Sequence, residues 1–94
     1  MPILRIEHAI SDFDVWKAAF DSDPVRREQS GVRRYRVLRP VDDPTYVAID
    51  LEFDSSAEAE RFHAALRELW KQAPPALAGA PSVRIVEVVE SREY

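Results

Sequence analysis

The chain of 94 residues predicts an α+β fold, a four-stranded antiparallel sheet with both helices on one face. Three observations predict it. The segments follow in the order strand, helix, strand, tight turn, strand, helix, strand. The strand segments alternate apolar and polar residues, while the helical segments repeat apolar residues every three to four positions. The two halves meet at Pro40-Val41-Asp42-Asp43-Pro44, a run of turn formers suited to a hairpin.

The first strand, Ile3–His8, places Leu4, Ile6 and His8 on one face and Ile3, Arg5 and Glu7 on the other. Ser11 and Asp14 suggest a capped helix over Asp12–Phe20, with Phe13, Trp16 and Phe20 along one apolar stripe. After Asp21-Ser22, Asp23-Pro24 reads as the start of a second, short helix running to about Ser30 and closed by Gly31. The second strand, Val32–Arg39, puts Tyr35 and Val37 on one face and Val32, Arg34, Arg36 and Leu38 on the other. In the third strand, Thr45–Phe53, Val47, Ile49, Leu51 and Phe53 alternate with Tyr46, Ala48, Asp50 and Glu52. A fully apolar face of this kind belongs under the helices.

Ser55-Ser56-Ala57-Glu58 is a capping box opening the second helix, Ser56–Trp70. Its buried stripe is Ala59, Phe62, Leu66 and Leu69, and Pro74-Pro75 ends it. A Pro- and Ala-rich loop over Gln72–Pro81 leads to the last strand, Val83–Glu90. That strand offers either Val86 and Val88 or Val83, Ile85 and Val89 to the open face. Two βαβ units with right-handed crossovers place the first and third strands in the centre, giving the order 4-1-3-2.

Composition narrows the function. A chain of this length is one domain, 1–94, burying somewhat more than about 60% of its unfolded surface. The absence of cysteine excludes disulfides, thiolate metal sites and a cysteine nucleophile. The N-terminus enters a strand directly and no apolar run approaches the length of a membrane span, so a cytoplasmic protein without membrane contact is expected. Net charge is −4, yet Arg26, Arg27, Arg33, Arg34, Arg36 and Arg39 cluster against a single acid, Glu28. Asp50 and Glu52 occupy the strand positions where an RNA-binding sheet would present aromatic side chains, and they repel phosphate, so no nucleic-acid partner is expected.

The open face of the sheet is mixed. It carries Tyr46, Ala48, Asp50 and Glu52, flanked by Arg34, Arg36, Arg5 and Glu7, with valines from the last strand. Such a face suits neither bulk water nor a plain core. A homodimer, two sheets meeting face to face around a mixed cavity, is the expected solution.

The order βαββαβ, with the runs Asp12–Asp21 (DFDVWKAAFD) and Arg39–Asp54 (RPVDDPTYVAIDLEFD), resembles a small group of actinobacterial proteins in the dimeric α+β barrel superfamily. That ferredoxin-like superfamily also holds the antibiotic-biosynthesis monooxygenases. The resemblance implies a homodimer with a ligand-sized cavity in each subunit. It also implies cofactor-independent proton abstraction, as in monooxygenase, cyclase or isomerase members. The expected ligand is a hydrophobic or aromatic small molecule, with no cofactor and no metal.

Candidate catalytic residues are Asp50, Glu52 and His8; candidate substrate-binding residues are Arg36, Arg34, Trp16 and Tyr46. Asp50 and Glu52 beside Arg34 and Arg36 read as an anion clamp with a carboxylate base, or as a structural ion-pair ladder, which is the commoner use of such groups. His8 ends a strand and titrates near neutrality, as a general base should, although a histidine at a loop edge needs no such role. His63 flanks the second helix's apolar stripe and reads as core-edge packing. The two histidines lack metal-ligand spacing. A different class of function, a non-catalytic ligand-sensing or interaction module, fits the same element order.

Overall fold

Alternation decides which way each strand faces. In the computed structural model, which describes residues 1–71 and 81–94, the elements are β1 (Pro2–Ala9), α1 (Phe13–Asp21), β2 (Arg34–Leu38), β3 (Tyr46–Glu52), α2 (Ser56–Lys71) and β4 (Ser82–Glu87). The sheet order is β2-β3-β1-β4, all pairs antiparallel, which is the order expected from the sequence. β1 and β3 pair with His8 opposite Val47, Ile6 opposite Ile49 and Leu4 opposite Leu51. These residues and Phe53 are buried with Trp16 of α1 and with Ala59 and Phe62 of α2. Each large side chain so buried contributes about 1.5–3 kcal/mol.

The opposite face carries Arg5 across from Asp50, Arg36 across from Asp50 on the other side, and Glu52 between Ile3 and Arg34. β4 resolves its two alternatives. Val86 lies opposite Ile3 on this face, while Val83 packs against the core.

Helix ends follow local chemistry. Asp12, not the expected Ser11 box, caps α1: its extended backbone (φ −152°) lets the carboxylate accept from Val15 N–H at 3.1 Å. Ser55 caps α2 as expected, accepting from Glu58 N–H at 3.3 Å while its hydroxyl donates to the Glu58 carboxylate at 3.2 Å. The hairpin is closed by Thr45 N–H donating to Asp43 at 2.9 Å.

Three further expectations need correction. The short helix after Pro24 does not form. Asp23 and Arg26 both take φ of 54°, left-handed conformations that cannot propagate a right-handed helix, and the segment is a run of turns. Asp23 still caps locally, accepting from Arg27 N–H at 2.9 Å, and Gly31 closes the run with φ of 100°. Val32 is not on the face of Arg34 and Arg36. It precedes β2 and turns into the core, while Arg33 N–H binds the Glu52 carbonyl at 2.7 Å. β4 stops at Glu87, opposite Pro2, whose ring nitrogen has no N–H to extend the ladder, so Val88 and Val89 are exposed. Apart from Pro81, the predicted loop lies outside the described residues, as do the prolines expected to end α2, Pro74 and Pro75.

Candidate functional site

The structure sorts the sequence-predicted site residues onto two sides of the sheet. His8 and Trp16 lie on the helix side, at a cavity of about 300 Å³ between the sheet, the two helices and the turns after α1. Asp50, Glu52, Arg34, Arg36 and Tyr46 lie on the open side, away from it.

His8 reaches the cavity because β1 alternates and α1 begins four residues later, laying Trp16 over it. The two rings meet edge to face with centroids 6.1 Å apart. The imidazole is only 4% exposed. Its Nδ1 lies 3.1 Å from the Ala9 carbonyl oxygen, which can only accept, so Nδ1 carries the proton and donates. Nε2 then presents a lone pair. Among the described residues Nε2 has no hydrogen-bond partner and is not fully buried, and His8 is one of the residues lining the cavity. Burial pushes the His8 pKa below its ordinary value, partly offset by the Ala9 carbonyl, so the neutral ring prevails at pH 7.

The cavity walls are largely apolar. Ile6, Ile49 and Leu51 form the floor, and Phe62, Leu66 and Trp70 of α2 form a second wall. Trp16 stacks on Phe20 at 5.2 Å, and the Phe20 ring meets Tyr35 at 5.1 Å. At the far end of this aromatic wall the guanidinium of Arg27 covers the Phe20 ring at 4.0 Å and lies 4.9 Å from that of Tyr35. Arg27 and Asp23 were not among the sequence-predicted site residues. The signals present were the basic cluster that begins at Arg26 and the Asp23-Pro24 break, but neither says that the turns fold back over the helix.

On the open face, Arg5 donates from Nε and Nη2 to the two oxygens of Asp50 at 2.8 Å each, and Arg36 Nη2 donates to Oδ2 at 3.2 Å. Asp50 is 2% exposed although no helix covers it, because the two arginines lie over it. The Arg5 hydrogen bonds hold its carboxyl below the usual range, a setting that opposes proton uptake. Arg34 pairs with Glu52 at 3.2 Å, and Tyr46 Oη–H points to Glu7 at 3.4 Å. Burial and the Glu7 carboxylate raise the Tyr46 pKa, so the phenol stays protonated.

His63 is half-buried against Trp70, with ring centroids 6.3 Å apart, and takes no place in the cavity lining. Among the described residues no group of His, Asp and Glu is arranged to hold a metal ion.

Solved structures of the same shape are numerous. The chain superposes on SnoaB, a cofactor-independent oxygenase from Streptomyces nogalater, with a TM-score of 0.75 at 10% identity over 96% of this chain and 94% of that one. A putative antibiotic biosynthesis monooxygenase from Bordetella bronchiseptica gives 0.74 at 14% identity, covering 95% and 98%. Rv0793 from Mycobacterium tuberculosis gives 0.67 at 14% identity, covering 99% and 100%. No protein-family model and no curated protein sequence matches the chain. The chain therefore has the ferredoxin-like fold of the antibiotic-biosynthesis-monooxygenase structures, over nearly its full length.

Proposed function

We propose that the protein is a cytoplasmic homodimer that takes up a hydrophobic or aromatic small molecule in the cavity between sheet and helices, and that His8 removes a proton from it. The observation that carries this reading is the His8 ring: neutral, fixed by the Ala9 carbonyl, lining an apolar cavity beside Trp16, with Nε2 unpartnered among the described residues. A bare imidazole nitrogen in an apolar enclosure accepts a proton from a phenol, enol or activated methylene of a ligand held against it. The resulting imidazolium is costly in such surroundings unless the anion it creates stays beside it. Binding and proton transfer are then favoured together. Trp16 supplies the flat surface on which an aromatic ligand stacks.

Proton abstraction alone serves isomerisation and cyclisation. With dioxygen as co-reactant the same step opens an oxygenation in which a methylene becomes a carbonyl, one oxygen atom staying on carbon and the other leaving as water with the two hydrogens. The likeness in fold to a cofactor-independent oxygenase supports this class of chemistry.

In this reading the open face, with Arg34, Arg36, Asp50, Glu52 and Tyr46, is the surface on which the second copy of the chain rests. Asp50 is paired with Arg5 and Arg36, and Glu52 with Arg34, within one sheet, and Ile3, Ala48 and Val86 lie among them. Both parts are tested directly. Sedimentation at micromolar concentration yields a dimer; a monomer contradicts the interface. A thermal-shift panel of quinones and hydroxylated polycyclic aromatics raises the melting temperature of the native chain and not of His8→Phe. No shift with any member contradicts ligand binding, and a shift without turnover of the bound compound favours a sensing module over an enzyme.

A further inference from the structure

We infer that Arg27 makes the cavity selective for aromatic acids, with a planar ring system along Trp16 and Phe20 and an anionic carboxylate at the guanidinium. The inference rests on the cavity reading above and deepens it.

Arg27 is the only cationic side chain lining the cavity among the described residues. Residues 72–80 contain no charged side chain, so that segment brings no rival charge. The guanidinium is held in place before any ligand arrives. Its Nη1 donates to the Phe20 carbonyl at 2.8 Å, and its Cζ sits 4.0 Å over the centre of the Phe20 ring. The side chain is 15% exposed. A cation fixed and largely desolvated in this way binds an anion more strongly than a surface arginine does, because neither its freedom nor its full hydration remains to be lost.

Asp23, which also lines the cavity, forms an ion pair with this guanidinium and partly offsets its charge, but makes no side-chain hydrogen bond to it. Its Oδ1 accepts from the Arg27 backbone N–H at 2.9 Å and lies 3.6 Å from Nη1, beyond hydrogen-bond reach. Nε and Nη2 of Arg27 have no partner among the described residues, and no unpartnered side-chain atom is sealed from contact. Two donors of a planar fork are therefore open, the arrangement that accepts a carboxylate bidentately. The row His8, Trp16, Phe20, Arg27 sets the ligand's shape: acid group at one end, flat apolar body between, reacting proton at the other.

The test compares 2-naphthoate with its neutral methyl ester, by calorimetry and tryptophan fluorescence, on the native chain and on Arg27→Gln. The native chain should bind the acid about 10-fold or more tighter than the ester, the range expected for a hydrogen bond to a charged group. Arg27→Gln should abolish that preference and keep the ester's affinity. Equal native affinities for acid and ester overturn the inference while leaving the cavity reading intact. Loss of both probes together in a folded Arg27→Gln also overturns it, since the residue then acts only by holding the turns. Failure of both probes to bind the native chain overturns the inference and the cavity reading together, and binding of the ester without the acid overturns the inference alone. Arg27 also ties the turns to α1, so if the variant does not fold, the native comparison of acid and ester decides.

Discussion

Arg5 reaches across from β1 to β3 and donates to both oxygens of Asp50, at 2.8 Å each, on the side of the sheet that no helix covers. With Arg36 at 3.2 Å the carboxylate is enclosed by cations and has no role left as a free base. Replacing Asp50 by Ala leaves two arginines facing each other and removes a charged hydrogen-bond network. The expected loss is about 1–3 kcal/mol by urea denaturation, with Arg5→Met costing less because its side chain is half in water. An unchanged midpoint would contradict this assignment.

Gly31 supplies a second check on the fold. Its φ of 100° makes Gly31→Ala unfavourable, while Glu58 Oε2, 2.6 Å from where a Cβ would stand, ends a flexible side chain that can swing aside. The expected destabilisation is about 1–3 kcal/mol. Adding Glu58→Ala should recover little, because the carboxylate can already move aside and its removal also loses the Ser55 hydrogen bond, so the cost of the backbone conformation remains. Full recovery in the double variant would show that the left-handed turn is not what requires glycine.

The pH dependence has a definite sign. The folded pKa of His8 is lowered by burial, so the unfolded chain binds its proton first. The corresponding stability is complete above the unfolded value, about 6.5, and is lost as pH falls towards the folded one. His63, lowered by burial and by Arg67, acts in the same direction. Asp50, lowered by Arg5, adds a second loss only below about pH 4. Denaturation midpoints should fall from pH 7.5 to pH 5, and His8→Phe should flatten that slope without abolishing it, since His63 remains. A midpoint that rises on acidification would reverse the sign and exclude a buried neutral His8.

The strands were legible because burial on one face writes itself as alternation. Val47, Ile49, Leu51 and Phe53 could face only the helices, and the antiparallel register then fixed Arg5, Arg36 and Asp50 together. The turns after α1 were not legible. Asp23-Pro24 is an ordinary helix start, and nothing in the residue types announces that Asp23 and Arg26 adopt left-handed backbones. The cavity was illegible for a related reason. Its walls come from β1, β3, both helices and those turns, and the space between them depends on how far apart they pack, which periodicity does not record. His8 and Trp16 were picked out from the sequence and brought together by the fold; Arg27 joined them only through the misread turn.

The central claim is that His8 presents an unprotonated Nε2 to a ligand cavity. Long-range proton–nitrogen NMR of the two histidines, with and without 2-naphthol at pH 7, tests it most directly. The account predicts a neutral His8 ring protonated at Nδ1, whose Nε2 resonance moves on addition of the ligand while that of His63 does not. A His8 ring protonated at Nε2, or resonances of both histidines that ignore the ligand, would contradict it.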